Sequence, residues 1–240
     1  MEQFSRTRFL LGQDNMEKLH KAHVAVFGLG GVGGYVVEAL ARSGIGALTL
    51  VDHDKISLSN LNRQILATMD TVGMEKAEAA EKRVKAIHPG CNVTAICNFF
   101  GPDTRHLFDF AAYDYVVDAI DTVTGKLSLV EACKEAGTPI LCSMGAGNKL
   151  DPTAFRVTDI YETAVCPLAR IMRKECRKRG IEKLKVVYSE EEPIVCDLPA
   201  DDPAWKELPE GRNALPGSCA WVPSAVGLII AGEVVKDLCK

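Results

Sequence analysis

The chain has 240 residues, of which 47% are hydrophobic and 25% charged, values ordinary for a globular protein with a full core. A formal net charge of −4 excludes a global attraction to nucleic acid, so any such binding requires a local basic patch. The chain opens without a secretory pattern and its longest apolar run is too short to span a bilayer, so we expect a cytoplasmic protein that does not bind membranes.

Strands and helices are predicted to alternate along the first part of the chain. The predicted strands cover residues 24–27, 47–51, 91–96, 115–118 and 139–142, and the predicted helices cover residues 32–43, 74–87, 104–110 and 124–136. This alternation is typical of an α/β, Rossmann-like fold, in which a mostly parallel sheet carries helices on both faces.

The pattern changes after residue 147, where a smaller C-terminal extension is predicted. It contains a strand at residues 155–160, an amphipathic helix at 166–179 and an apolar helix at 222–238. Residues 190–217 are rich in proline and acids, which predicts an irregular or mobile loop. We expect two domains, 1–150 and 151–240, the second continuous with the first.

The cysteine pattern argues against a structural metal. The nine cysteines are an odd number and form no C-x-x-C pair, so no zinc site is expected. Because the chain has no secretory pattern, reduced thiols are the better interpretation.

A glycine motif follows the first predicted strand. Gly28, Gly30 and Gly33 form a G-x-G-x-x-G, whose tight turn lets the backbone approach phosphate oxygens at the start of a helix. Asp52 ends the second predicted strand, where a carboxylate can accept hydrogen bonds from ribose hydroxyls. The glycines could instead serve only strand–helix packing, and Asp52 could be a simple helix-approach cap.

The residues after Asp52 favour ATP over a dinucleotide. Asn60, Arg63 and Gln64 lie in the following loop, and Lys76 opens the next predicted helix. Two cations and two neutral donors suit a triphosphate and its pyrophosphate leaving group. An NAD-dependent oxidoreductase needs few cations beyond the glycine loop, so these residues argue against that function. A solvated polar loop is the alternative interpretation of these residues.

Two acids and a lysine follow the fourth predicted strand. Asp118 and Asp121 lie where the carboxyl end of a parallel strand faces the ligand crevice. Asp121 could hold Mg²⁺ against phosphate oxygens, and Lys126 could contact either phosphate or a carboxylate. Each acid could equally be a helix cap.

Four motifs together resemble the ThiF/MoeB/HesA superfamily, the adenylating enzymes related to ubiquitin-activating E1. They are "GLGGVG", "LTLVDHDKISLSNLNRQ", "VGMEKAEAA" and "VVDAID". The resemblance implies that residues 1–150 bind ATP, that Asp52 and Asp54 bind the ribose, and that Asp121 coordinates Mg²⁺. The full implied ATP site is Gly28, Gly30, Gly31, Gly33, Asp52, Asp54, Asn60, Arg63, Gln64, Lys76 and Asp121.

The N-terminal segment "FSRTRFLLG" is similar to the segment with which the family reaches across a dimer. The resemblance implies a homodimer in which Arg6 enters the ATP site of the other subunit. Arg6, Arg63, Lys76 and Asp121 are then the expected catalytic residues of the ATP site.

The second half is similar to one branch of this superfamily, the tRNA threonylcarbamoyladenosine dehydratases. The similarity lies in "DPTAFRVTDIYETAVCPLARIMRKECRKRGI", "VVYSEEEP" and "GSCAWVPSAVGLIIAGEVVKDL", with Cys166 standing where an acid is expected. It implies ATP-dependent cyclisation of N6-threonylcarbamoyladenosine in tRNA through an acyl-adenylate. It leaves open a need for K⁺ or Na⁺ and a partnership with a cysteine desulfurase and sulfur-acceptor system.

A basic helix agrees with a tRNA substrate. Five cations recur at helical spacing on one predicted face, opposite Leu168 and Met172. Such a face on an acidic chain can bind the phosphates of tRNA, although an ordinary solvated face has the same pattern. The five residues are Arg170, Arg173, Lys174, Arg177 and Lys178.

Cys219 precedes the last predicted helix, near where relatives place a reactive cysteine. It could accept the acyl group as a thioester, or it could be an incidental thiol, and Cys142 and Cys196 are lesser candidates.

Other functions stay open from the sequence. The main alternative is an adenylyltransferase that activates the C-terminal glycine of a ubiquitin-like sulfur-carrier protein. The absence of zinc-ligand pairs and the basic helix argue against it. A non-catalytic nucleotide-sensing module is a further alternative, which Arg63, Lys76 and Asp121 argue against.

Overall fold

A seven-stranded sheet forms the centre of the computed structural model, which describes residues 2–195, 197–199, 201–202 and 217–240. The strand order is β3-β2-β1-β4-β5-β7-β6, and all neighbours are parallel except β6 and β7. The strands are β1 (His23–Phe27), β2 (Ala47–Val51), β3 (Asn92–Ile96), β4 (Tyr115–Asp118), β5 (Ile140–Ser143), β6 (Phe155–Asp159) and β7 (Lys185–Ser189).

Seven α-helices surround this sheet in the described part of the chain. They are α1 (Ser5–Leu11), α2 (Gln13–Lys21), α3 (Gly33–Ser43), α4 (Lys76–Ile87), α5 (Val123–Ala136), α6 (Pro167–Lys178) and α7 (Trp221–Leu238). None of these helices is both long and apolar enough to cross a membrane.

Strand β1 shows why helices must cover both faces of the sheet. Its side chains alternate in direction, and all but the first are buried. Val24 and Val26 belong to the core shared with α3, α4 and α7, whereas Ala25 and Phe27 belong to the core shared with α5. Apolar residues on both faces are the pattern of a parallel sheet between two helical layers, so the predicted fold class is confirmed.

Helix α7 closes one face by a very close approach to α3. A Cβ on Gly227 would lie 2.5 Å from the Val32 carbonyl oxygen, so only glycine allows this helix crossing. The other end of α7 is tied to the sheet through Asp237, which accepts hydrogen bonds from Tyr115 of β4 and Lys185 of β7, both at 2.8 Å.

The predicted helix over residues 104–110 is wrong. The structure has two short 3₁₀ turns there, Arg105–Leu107 and Phe110–Ala112. The reason is aromatic packing: Phe108 and Phe110 both contact Phe27, with ring centroids 5.2 and 5.9 Å away, and a two-residue spacing does not place side chains on one face of an α-helix.

Three elements were not predicted, namely α1, α2 and β7. Strand β7 lies between β5 and β6, so the C-terminal extension adds two strands to the same sheet as the first half. The division at residue 150 therefore stays a prediction about function. The predicted loop over residues 190–217 falls largely outside the described residues.

Candidate active site

The predicted nucleotide residues gather at the carboxyl edge of the sheet. The chain runs from β1 outward to β2 and β3 and then returns to β4 on the other side of β1. Such a switch point opens a crevice between the loops that follow β1 and β4, where ligands bind in open α/β sheets.

The glycine turn after β1 contains glycines of two kinds. Gly28 has a φ of +88°, and a Cβ there would lie 2.6 Å from the Ala119 carbonyl oxygen. A Cβ on Gly33 would lie 1.7 Å from the carbonyl oxygen of Gly28, so both glycines are needed for packing. Gly30 differs, because its nearest neighbour would be the Gln64 amide nitrogen at 3.8 Å. Packing alone therefore does not explain the motif, and the backbone at Gly30 is open to a ligand.

The Asp52 carboxylate is fixed between the two loops. One oxygen accepts a hydrogen bond from the Leu29 N–H at 2.7 Å, and the other accepts one from the Asp54 N–H at 2.9 Å. The side chain is buried at the end of β2. This arrangement orients the carboxylate toward the glycine turn rather than capping a helix.

Lys76 joins the two predicted ribose acids. Its ammonium lies 2.7 Å from an Asp54 oxygen and 3.9 Å from an Asp52 oxygen, and its side chain is 7% exposed. An ammonium has three donors, so it can also donate to an anionic group that enters the crevice. The structure therefore brings Lys76, Asp52 and Asp54 into one cluster.

The loop after β2 supplies the remaining polar groups. The Asn60 side chain accepts a hydrogen bond from the Ser57 N–H at 3.1 Å and so holds the 3₁₀ turn Leu58–Asn60. Arg63 donates to the Ser59 carbonyl at 3.0 Å and lies beside Gly31. The buried Gln64 carbonyl oxygen has no partner among the described residues, and an orphaned acceptor against a glycine turn suits a bound nucleotide.

The two acids after β4 have different surroundings. Asp118 is fully buried and accepts hydrogen bonds from Lys126 at 3.0 Å and from the Ile120 N–H at 3.1 Å. Lys126 also donates to the Ser143 carbonyl at 2.6 Å, so of the two alternatives for Lys126 the carboxylate contact is the one observed. Asp121 is exposed in the crevice loop, and Thr122, not Asp121, is the N-cap of α5.

Arg6 is not brought to this site within one chain. Its helix α1 follows Phe4, whose ring packs 4.9 Å from His88 and 5.6 Å from His20. Both histidines lie just before strands begin, so this helix lies at the amino edge of the sheet, opposite the nucleotide crevice. Within one chain, Arg6 is therefore not part of this crevice.

The five cations predicted to share one face of α6 are not all available to a ligand, because three of them contact other residues of the chain. Arg173 donates inward to the Thr163 carbonyl, Arg177 lies over the Tyr161 ring at 5.2 Å, and Lys178 pairs with Glu175. The inward residues are Ala169, Met172 and Cys176. Arg170 and Lys174 are exposed and form no ion pair with the described residues.

The three candidate thiols differ in access. Cys219 is half-buried two residues before α7, with its sulfur 3.8 Å from the Lys149 carbonyl oxygen. Its neighbour Ser218 accepts a hydrogen bond from Asn62 at 3.0 Å, which joins this segment to the Arg63 loop. Cys142 is fully buried in β5, where burial raises the pKa of its thiol well above the ordinary value. Cys196 lies outside the described residues.

Residues 4–240 match the ThiF family. The chain belongs to the ThiF family. A tRNA threonylcarbamoyladenosine dehydratase of Bacillus subtilis is 41% identical, over 100% of this chain and 96% of that protein. The tRNA threonylcarbamoyladenosine dehydratase of Escherichia coli is 33% identical, over 99% of this chain and 93% of that protein. The solved structure of the E. coli tRNA N6-threonylcarbamoyladenosine dehydratase in complex with ATP has a TM-score of 0.87 at 33% identity, and the match covers 99% of this chain and 93% of that chain.

The family predicted from the motifs is thus confirmed. The match to the solved structure covers 99% of this chain, so the shared fold extends beyond the first 150 residues. One polar residue near the crevice has no signal among the sequence motifs: Lys149, which follows β5 and is 3% exposed. The sequence signal that could have singled out Lys149 is its position a few residues after the predicted strand 139–142, because ligands bind beyond the carboxyl ends of parallel strands.

Proposed function

We propose that this protein is an ATP-dependent dehydratase that cyclises N6-threonylcarbamoyladenosine in tRNA. Similarity along the whole chain to proteins of that name carries the proposal. The polar cluster at the carboxyl edge supports it, because adenylation needs a place for a nucleotide and cations for its phosphates. In this proposal residues 1–150 bind ATP, and residues 151–240 bind tRNA and take part in dimer formation.

The proposed reaction activates a carboxylate before the ring closes. The carboxylate of the threonine moiety attacks the α-phosphorus of ATP, and the bond to pyrophosphate breaks. The neighbouring carbamoyl group then attacks the acyl carbon and expels AMP, so that one water is lost from the modified nucleoside overall. A carboxylate alone is a poor electrophile, because its leaving group would be a strongly basic oxide.

The proposed roles follow the contacts in the cluster. Asp52 is already oriented by two backbone N–H groups and accepts hydrogen bonds from the ribose, with Asp54 beside it. Arg63 and Lys76 stabilise the charge that develops on the leaving pyrophosphate. Asp121 would hold Mg²⁺, which supplies further charge neutralisation at the phosphates.

We propose a homodimer in which each chain places Arg6 in the nucleotide site of the other. Helix α1 carries Arg6 at the amino edge, far from its own crevice. Two large apolar side chains of the same helix, Phe9 and Leu10, are 68% and 87% exposed, as expected for a surface that a second subunit covers.

The central experiment is nucleoside analysis of treated tRNA. Incubation of the protein with ATP, Mg²⁺ and tRNA that carries N6-threonylcarbamoyladenosine is expected to give a nucleoside lighter by one water, measured by mass spectrometry after digestion. Omission of ATP is expected to leave the nucleoside unchanged. An unchanged nucleoside in the complete mixture, together with adenylation of a sulfur-carrier protein, would replace this proposal by the adenylyltransferase alternative.

The α6 surface is expected to bind tRNA phosphates through its free cations. The double variant Arg170→Glu/Lys174→Glu should weaken tRNA binding and reduce the slope of log affinity against log salt by about two units, since two phosphate contacts are lost. Fluorescence anisotropy at several salt concentrations measures both quantities.

The control for this test changes charge equally on other helices. Lys82→Glu/Lys236→Glu alters exposed residues of α4 and α7. It should leave the salt slope near that of the unaltered protein. An equal loss of slope in both double variants would show that only net charge matters, and it would remove α6 as the docking surface.

A further inference from the structure

A cleft lies beside the nucleotide crevice, between the loop after β5 and the start of α7. Its volume is about 230 Å³, and it is lined by Asn148, Lys149, Leu150, Ile194, Gly217, Ser218 and Cys219. The cleft adjoins the loop after β2 that carries Asn60, Arg63 and Gln64, here called the phosphate loop, since Asn62 of this loop donates to the Ser218 carbonyl at 3.0 Å. A Cβ on Gly31 would also lie 3.2 Å from Pro223 in the first turn of α7. A group held in the cleft is therefore next to the loop that carries Arg63.

The cleft contains a buried cation with an incomplete set of partners. Lys149 is 3% exposed, and among the described residues its ammonium donates only to the Glu191 carbonyl oxygen, at 2.8 Å. The Glu191 carboxylate is near enough to raise the pKa of Lys149, but its oxygens accept hydrogen bonds from the N–H groups of Leu150 and Asp151, and it forms no ion pair with the lysine. An ammonium has three donors, and a buried charge without a direct ion-pair partner is costly.

Cys166 is a second group that acts on the charge of Lys149. This position precedes the Pro-Leu-Ala motif, where the resemblance to relatives leads us to expect an acid. The Cys166 side chain is 1% exposed. Burial lowers the pKa of Lys149, while Cys166 and the Glu191 carboxylate both raise it. In this chain the position before the Pro-Leu-Ala motif thus carries a thiol instead of a carboxylate.

We propose that the cleft binds the threonyl group of the substrate and that Lys149 binds its carboxylate. The inference rests on the proposed function and adds to it a residue that recognises the reacting group. The ligand's carboxylate supplies the direct ion pair that Lys149 lacks among the described residues, while Leu150 and Ile194 offer apolar contacts for the rest of the threonyl group. The position next to the phosphate loop holds that carboxylate beside the nucleotide that it attacks.

The test compares two tRNAs that differ only in the modification. Binding is measured without ATP to tRNA with N6-threonylcarbamoyladenosine and to the same tRNA with unmodified adenosine. The unaltered protein is expected to prefer the modified tRNA, and Lys149→Met is expected to lose at least about tenfold of that preference, the loss typical of a hydrogen bond to a charged group. Affinity for an ATP analogue should change less than twofold.

Four further variants keep the inference falsifiable if Lys149→Met folds poorly. Lys149→Arg keeps the cation and should retain most of the preference, and Lys82→Met removes an exposed charge elsewhere and should have no effect. Cys166→Asp places a carboxylate beside Lys149, so it should lower the preference several-fold, whereas Cys166→Ser should not.

The outcomes separate this inference from the proposed function. If the unaltered protein cyclises the nucleoside but Lys149→Met or Cys166→Asp keeps the full preference for modified tRNA, Lys149 does not bind the carboxylate and the inference is overturned alone. If the unaltered protein neither prefers nor cyclises modified tRNA, the proposed function is overturned, and the inference with it.

Discussion

Arg63→Ala is expected to lower the rate of adenylation about 100- to 1,000-fold, because the developing charge on pyrophosphate loses a donor in the crevice. The fold should survive the change. The hydrogen bonds of Arg63 to described residues go to Ser59 and Asn62 of its own loop, so none of them ties distant elements together. Release of pyrophosphate in the presence of modified tRNA measures the rate, and thermal unfolding measures the stability.

Arg42→Ala is the matched control for this prediction. Arg42 lies in the last turn of α3, where it pairs with Glu38 away from the glycine turn. Its loss removes the same charge but should leave the adenylation rate within about twofold. Unaltered pyrophosphate release by Arg63→Ala would remove Arg63 from the phosphate site and, with it, the assignment of the loop after β2.

Lys126→Met is expected to lower the free energy of unfolding by about 3–5 kcal/mol, since it leaves the Asp118 carboxylate buried without its cation. The side chains of the pair are 1% and 0% exposed, and the Ser143 carbonyl also loses its partner. Such a loss is a large fraction of the stability of an ordinary domain. Urea unfolding followed by circular dichroism measures it.

Two variants serve as controls for the loss of unfolding free energy in Lys126→Met. Lys134→Met on the exposed side of the same helix should cost less than about 1 kcal/mol, because its hydrogen bond to Gly180 lies at the surface. Asp118→Asn combined with Lys126→Met should recover part of the stability, because it removes the unpaired charge. A loss at Lys126 no larger than at Lys134 would contradict the importance of the buried pair.

The nucleotide edge was predictable from the sequence because its signals are local. A glycine spacing after an apolar run, an acid at a strand end and a cation at a helix start each depend on a few neighbouring residues. Parallel strands then bring their carboxyl ends to one edge, so the loops that carry Gly28, Asp52 and Asp121 had to lie along that edge once the alternation was recognised. The pairing of Lys76 with Asp54 was not predicted, since it depends on how two loops fold over each other.

Where prediction failed, packing between distant segments decided the structure. The aromatic contacts of Phe108 and Phe110 with Phe27 replaced a predicted helix by 3₁₀ turns. Strand β7 carries a short apolar run, and only the space between β5 and β6 makes it a central strand. The inward hydrogen bond of Arg173 to Thr163 likewise depends on the loop before α6, which the helical spacing does not describe.

The sequence by itself determined the family and the α/β architecture and predicted a nucleotide site at the carboxyl edge of the sheet, because these follow from periodicity and from motifs a few residues long. Only the tertiary structure decided that Arg6 lies at the opposite edge of its own sheet and that a buried, underpaired Lys149 lines a cleft beside the phosphate loop. These features join segments that are far apart in the chain, such as Lys149, Cys166 and Glu191, and their contacts depend on how helices and loops pack onto the sheet.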